Sequence, residues 1–337
     1  MNRVFLFLIV SVIFLTCNPA KEEKKQIPTT KVDTVSVDPF APINEKIKQN
    51  PNDALLYYDR AKYHFDNKHF QESLNDIERA LKLDSSNCDF YLLKADISLI
   101  KHHSRDVIEA LNKCISFNSE NVEAYLKRAE IYMLLQKYQQ AIDNINFALK
   151  ADVYNARAYF MKGMVYKFTS DTSRAVSNFQ TAVEQDNEYY DAYIQLGLLF
   201  AAKHNPLAKD YYDNAIRIRP NSLGAIYNKC IFLQEHGEAE KALEGYKLIL
   251  QINPLNINAH YNIGYVNLVY FKNFETAFEK FSEVIELQPD HYGAYTNRGV
   301  CYEMTGNSEK AVADFRKALE LKPDFTEAAK GLGRILD

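Results

Sequence analysis

Five histidines and four cysteines are the side chains in this sequence best suited to chemistry. His69, His102, His103, His204 and His236 offer imidazole nitrogens, common ligands for zinc and the groups that titrate nearest neutrality. A zinc site also needs its ligands at set local spacings with a carboxylate at hand, and no such spacing surrounds these five. Cys88, Cys114, Cys230 and Cys301 could serve as nucleophiles, metal ligands or disulfide partners, yet none stands in a Cys-x-x-Cys pair. No phosphate-cradling glycine loop, His-Glu zinc signature or nucleophile elbow occurs either. The expectation is a chain that is not an enzyme, with no catalytic residue, cofactor or metal centre. A net charge of −4 gives no global attraction to nucleic acid, so a nucleic-acid partner is not expected.

The elements that carry these residues repeat. In residues 292–325, Tyr295, Gly299 and Tyr302 recur at helical spacing, as do Ala311, Phe315, Ala318 and Leu319 after the break at Gly306. Asn307 or Ser308 can cap the second helix, and Pro323 stops it from continuing. Moving backwards, a small residue returns at Ala61, Ala95, Ala129, Gly163, Gly197, Cys230, Gly264 and Gly299, at spacings of 34, 34, 34, 34, 33, 34 and 35. A second series, mostly small, runs through Ser73, Val107, Ala141, Ala175, Ala208, Ala242, Ala277 and Ala311. Small residues on facing helices let backbones approach, while Tyr57, Tyr91, Tyr125, Tyr159, Tyr193 and Tyr295 can fill the space between hairpins. The five histidines fall in the turns joining the two helices of a unit, which polar turn composition explains without a ligand. The cysteines are expected to be buried thiols, with a Cys88–Cys114 disulfide inside one unit as the alternative.

This pattern resembles the tetratricopeptide repeat family. The fourth unit carries Tyr159, Gly163, Tyr166, Ala175, Phe179 and Ala182, and Pro220, Pro254, Pro289 and Pro323 close the later units. The resemblance implies an all-α, right-handed α-solenoid of about eight helical hairpins over 54–325, with units at 54–87, 88–121, 122–155, 156–189, 190–222, 223–256, 257–291 and 292–325. A short N-terminal capping helix is expected within 43–53 and a C-terminal one over 326–337. The fifth unit is one residue short, with Asn205 and Pro206 placed to start its second helix, and the seventh has one residue extra near Phe271, read as a longer turn.

In that family the first helix of each repeat lines a concave groove. By this correspondence the groove would be lined by Phe160, Met164, Ile194, Leu198, Tyr227, Ile231, Tyr261 and Tyr265. The same wall carries Lys62, Asp96 and Glu130 in the first three units, so its character changes midway from charged to apolar. Tyr58 and Asp59 stand where the basic clamp of chaperone-tail receptors would begin, which disfavours that class.

Arg3 followed by the apolar run 4–15 reads as a signal peptide over 1–16, too short to span a bilayer comfortably. Phe14-Leu15-Thr16-Cys17 resembles the bacterial lipobox, which implies acylation of Cys17 and a mature chain held by lipid, because more than one acyl chain gives stable attachment. Residues 17–42 form the lipidated terminus and a polar linker; Lys21, Glu22 and Glu23 suit a surface-export signal. The expected location is the bacterial cell envelope, at the outer membrane, periplasmic or surface-exposed. The expected partner is a protein or peptide held in the groove by a membrane-anchored scaffold, in an envelope assembly, secretion or surface complex. The alternative is a surface lipoprotein for glycans or small ligands, although the chain has no Trp platform for sugars.

Overall fold

The computed structural model describes residues 39–336, which form eighteen α-helices and one π-helical turn. The signal peptide, Cys17 and nearly all of the linker lie outside the described residues. After α1 (Ala41–Gln49) come eight helical hairpins: α2 and α3 (Ala54–Asp66, Phe70–Leu83), α4 and α5 (Cys88–Ile100, Ser104–Phe117), α6 and α7 (Val122–Leu134, Tyr138–Ala151), α8 and α9 (Ala156–Phe168, Thr172–Gln185), α10 and α11 (Tyr190–Ala201, Leu207–Ile218), α12 and α13 (Leu223–Glu235, Ala239–Ile252), α14 and α15 (Ile257–Val266, Phe274–Leu287), and α16 and α17 (Tyr292–Met304, Ser308–Leu321). α18 (Thr326–Leu336) follows. Each helix packs on its hairpin partner and on the next hairpin, so the chain is an α-solenoid of such hairpins.

Local chemistry sets the boundaries. Seven of the eight first helices begin at a side-chain cap, α10 after Tyr189 being the exception: Asp53, Asn87, Asn121, Asn155, Ser222, Asn256 and His291 each accept a backbone N–H two or three residues on. Each hairpin turn then places one residue in the left-handed region, at Lys68, His102, Gln136, Ser170, His204, Gly237, Lys272 and Gly306. Asn205 Oδ1 accepts the Leu207 N–H and starts α11 behind Pro206; the missing residue of the fifth repeat shows as a shorter second helix, 12 residues in α11 against 14 in the other second helices, and not as a shorter turn. Contrary to the longer turn that the sequence suggests, the extra residue of the seventh repeat is not taken up in the turn. It widens the last turn of the first helix into a π-helical segment, Asn267–Phe271, where the buried Asn267 donates to the Ile263 carbonyl.

Between the two helices of a hairpin, the small residue of the first meets a large one of the second. A Cβ on Gly163 would come within 2.6 Å of the Phe179 ring, on Gly197 within 2.5 Å of Tyr212, on Gly264 within 2.8 Å of Phe281 and on Gly299 within 2.9 Å of Phe315. Those separations are below van der Waals contact, so only glycine fits beneath the ring. In the sixth repeat Cys230 takes the small position, and a Cβ on Gly245 of the facing helix would collide with its Sγ. Cys230 and Cys301 are buried thiols. Cys88 and Cys114 are not: they are joined as a disulfide, Cα atoms 4.4 Å apart, because the start of α4 and the end of α5 meet at one edge of the hairpin.

A cation near the middle of several first helices ties three helices together. Arg60 donates to Asn44 of α1 and to both oxygens of the buried Asp76 of α3. Arg128 bonds Asn112 and Asn144, and Arg298 bonds Ser282 and Asp314. The contact with Asn44, sixteen residues back like the others, makes α1 the counterpart of a second helix from a preceding repeat, and Pro51 closes it as Pro220 and Pro254 close theirs.

Candidate partner-binding groove

The wall formed by first helices has two chemical halves. In repeats 2–4 it is an ion-pair network. Lys127 bonds Asp96 at 2.5 Å, and Arg157 reaches Glu123 at 2.9 Å and Glu130 at 3.4 Å. These charges satisfy one another across adjacent repeats, and partly exposed pairs of this kind add little stability each. Lys167 ends the network with a 2.6 Å bond to Gln195, and desolvation holds its ammonium below the usual lysine range.

From Phe160 and Met164 in repeat 4 to Tyr265 in repeat 7 the groove positions themselves are apolar or aromatic. Tyr227 accepts a hydrogen bond from Asn262 of the next repeat at 3.1 Å, and Tyr261 one from Asn297 at 3.0 Å. Burial, chiefly, raises the Tyr261 pKa. The phenols are therefore engaged in joining repeats, with their ring edges left to face the groove. Phe160 packs on Phe179 and Tyr189, with centroids 5.6 and 5.1 Å apart, and Tyr261 packs on Phe281 and His291.

Of the eight residues assigned to the groove, seven are half-buried and packed against core clusters. Phe160 and Met164 lean on Phe179 and Leu196, Ile194 on the Tyr193 and Tyr212 clusters, Tyr227 and Ile231 on the Cys230 cluster, and Tyr261 and Tyr265 on the Phe281 cluster. Leu198 is the exposed one, at 37%. Asn262 and Asn297 had not been singled out from the sequence. Their signal was the recurring pair of groove position and asparagine in Tyr227-Asn228, Tyr261-Asn262 and Thr296-Asn297.

The histidines and cysteines are placed apart from this wall. His204 and His236 lie in successive turns with rings 5.6 Å apart, and His69 faces His64 at 5.8 Å. His236 Nδ1 is 2.7 Å from the Phe232 carbonyl. Among the described residues no three His, Cys, Asp or Glu side chains converge as a metal-holding group. Burial pushes the thiols of Cys230 and Cys301 up to about 12, so both are protonated and poor nucleophiles at neutral pH.

A tetratricopeptide repeat family model matches residues 156–189 and 292–325, the fourth and eighth hairpins. Human tetratricopeptide repeat protein 6 is 26% identical over 164 residues, covering 38% of this chain and 31% of that protein. Human protein O-mannosyl-transferase TMTC3 is 29% identical over 135 residues, covering 39% of this chain and 15% of that protein. The chain thus spans a third or less of the length of these relatives. Among solved structures, the C-terminal part of a TPR repeat-containing protein from Cytophaga hutchinsonii superposes with a TM-score of 0.61 at 22% identity, over 71% of this chain and 98% of that one. The two matched hairpins are tetratricopeptide repeats, and the other hairpins repeat their small-to-large contact and stack with them as one α-solenoid.

Proposed function

We propose that this chain is a non-enzymatic protein-interaction scaffold whose first-helix wall in repeats 4–7 grips a peptide or helical segment of a partner. The observation that carries the reading is the row Met164, Leu198, Ile231 and Tyr265, one apolar or aromatic residue per repeat at the same position of each first helix, with Leu198 37% exposed in the middle. An apolar row of this kind suits a partner that presents apolar side chains at regular intervals. Fixed rings at Phe160, Tyr227 and Tyr261 lose little freedom on binding, which favours capture.

The scaffold is further proposed to be held at the bacterial outer membrane by acyl chains on Cys17, periplasmic or surface-exposed, as part of an envelope assembly, secretion or surface complex. The apolar run 4–15 ending at Cys17 and the Cys88–Cys114 disulfide, which suits an oxidising compartment, support this location.

The test is Leu198→Glu combined with a photo-cross-linker at position 198 of the otherwise unchanged chain in its native cells. Because Leu198 is exposed, the substitution should leave helicity intact. The expected result is one or a few envelope proteins cross-linked at this site and their loss from co-purification with the Leu198→Glu chain. Unchanged co-purification would overturn the groove assignment. Selective micromolar binding of an oligosaccharide from a panel would favour the glycan reading instead.

A further inference from the structure

Over repeats 1–4 the two long edges of the solenoid differ in charge. Along one edge run the turns inside the hairpins, which hold Lys68, Lys101, Lys137 and Lys203 with His102, His103 and His204 among them. Asp171, the acidic residue of the fourth turn, is paired with Arg174 at 3.0 Å. Along the other edge run the loops between repeats, which hold Asp84, Glu120, Asp152, Asp186 and Glu188. Helices of 12 or 13 residues separate the two edges, roughly 20 Å at the α-helical rise.

The cationic edge is also apolar. At the ends of α4, α6 and α8 the side chains of Leu99, Ile100, Leu134, Leu135 and Phe168 are 41, 41, 70, 41 and 53% exposed. They are neighbours: Leu99 and Leu134 line one cleft of about 230 Å³, shared with Asp96, Lys127 and Glu130 of the first-helix wall, and the Phe168 ring stacks on Tyr138 of the preceding repeat at 6.2 Å. Lys101 joins this edge to repeat 1 through Gln71 at 3.0 Å. The described chain enters at the same edge, where Phe40 packs on Tyr63, His64 and His69 at 4.7, 4.3 and 6.5 Å. The described chain therefore begins on the cationic side of the solenoid.

We infer that the hairpin-turn edge of repeats 1–4 is a docking surface for an anionic lipid bilayer. Lysines at this edge lie at the level of lipid headgroups, while Leu134 and Phe168 reach just below them. The opposite edge also exposes large side chains, Tyr154 at 74% among them, but its carboxylates are repelled by the same surface. Charge thus selects which edge faces the membrane. The inference depends on the built edge and not on acylation of Cys17. In this orientation the chain lies along the bilayer, with the groove of repeats 4–7 beside the membrane plane.

Because the sequence contains no Trp, a single introduced Trp reports its own depth. Full-length chains carrying Cys17→Ser and either Phe168→Trp or Tyr154→Trp are mixed with phosphatidylglycerol/phosphatidylcholine vesicles containing brominated acyl chains. Both positions are exposed, and unchanged circular dichroism confirms that the variants fold. Phe168→Trp should be quenched and blue-shifted, and Tyr154→Trp should not. Adding Lys101→Ser and Lys137→Ser should raise the lipid concentration for half-quenching about 25-fold, at roughly fivefold per cation. Equal quenching at both positions, no quenching at either, or quenching of Phe168→Trp that is as strong on pure phosphatidylcholine would overturn the inference. Failure of acylation at Cys17 in cells, with quenching at Phe168→Trp retained, would remove the anchor and leave this surface standing.

Discussion

In repeats 1–3 the contact inside each hairpin is made by alanine and an aliphatic side chain: Ala61 with Ile77, Ala95 with Leu111, Ala129 with Ile145. In repeats 4, 5, 7 and 8 it is made by glycine and a ring, Gly163 with Phe179 through Gly299 with Phe315. Repeat 6 uses Cys230 with Tyr246 and makes room by placing Gly245 against the sulfur. What stays constant is the combined volume across the contact, as a close-packed interior requires. The small residue alone does not specify the hairpin; the pair does. The aromatic half of the molecule is also the half whose groove positions, from Phe160 to Tyr265, carry no charge, so rings such as Phe179 and Phe281 back the Phe160 and Tyr261 rings of the proposed groove.

The largest test of this difference is to remove the large partner in each half. Phe179→Ala leaves a ring-sized void beside a residue with no Cβ and should cost about 4–5 kcal/mol, against about 2–4 kcal/mol for Ile145→Ala. Urea unfolding followed by circular dichroism reads both. Equal losses would mean that the two halves are not packed differently.

Adding volume is the milder perturbation. Gly163→Ala places a Cβ 2.6 Å from the Phe179 ring and should cost about 1–3 kcal/mol by overpacking. Phe179→Ile added to Gly163→Ala rebuilds the Ala-Ile pair of repeat 3 and should recover most of that loss. Simple additivity of the two single variants, each destabilising, would refute volume compensation.

The register of Ala129, Gly163 and Gly197 was readable because a 34-residue period survives any choice among small residues. Less readable was the geometry that absorbs departures from the period. The extra residue near Phe271 became a π-helical turn because the buried Asn267 side chain can bond the Ile263 carbonyl from within the helix, which no turn rule indicates. α1 was read as a simple shield. Its kinship to a second repeat helix lies in Pro51 and in the sixteen-residue spacing of Asn44 to Arg60, a long-range signal easily missed in nine residues. For the groove, sequence position placed the residues on one wall, but how far Ile231 or Tyr265 stands out of it depends on curvature, which the sequence does not state. Likewise the Cys88–Cys114 bond follows from where α4 starts and α5 ends, a matter of edge geometry and not of residue type.

A smaller contrast lies in the turns. The left-handed position is held by a residue with a Cβ in repeats 1–5 and 7, and by Gly237 and Gly306 in repeats 6 and 8. Such a conformation strains a side-chain-bearing residue, while glycine adds freedom to the unfolded chain, so the two effects partly cancel. Gly306→Ser, copying Ser170, should therefore cost about 1 kcal/mol, and His102→Gly should gain somewhat less, about 0.5 kcal/mol. Thermal unfolding of both variants measures the pair; destabilisation by His102→Gly would show that its side chain holds the turn.

The smallest effect separates the first-helix caps. Asn and Asp cap α2, α4, α6, α8 and α14, whereas His291 caps α16 by accepting the Ala294 N–H at Nδ1, 3.0 Å away. A protonated imidazole cannot accept this bond. Burial, the leading cause, lowers the pKa of His291 from its ordinary 6.5, so the folded chain prefers the neutral ring. Above 6.5 both states are neutral and the cap is intact. As pH falls through 6.5 the unfolded chain takes up the proton first, and stability declines until His291 itself protonates in the folded chain and the cap is lost. With the imidazole partly exposed and screened, the parent chain should lose about 0.5 kcal/mol more than His291→Asn between pH 7.5 and 5. Hydrogen exchange at the start of α16 localises the change: faster exchange there at low pH in the parent and not in His291→Asn is the expected pattern, and identical acid sensitivity in both chains would place the titrating group elsewhere.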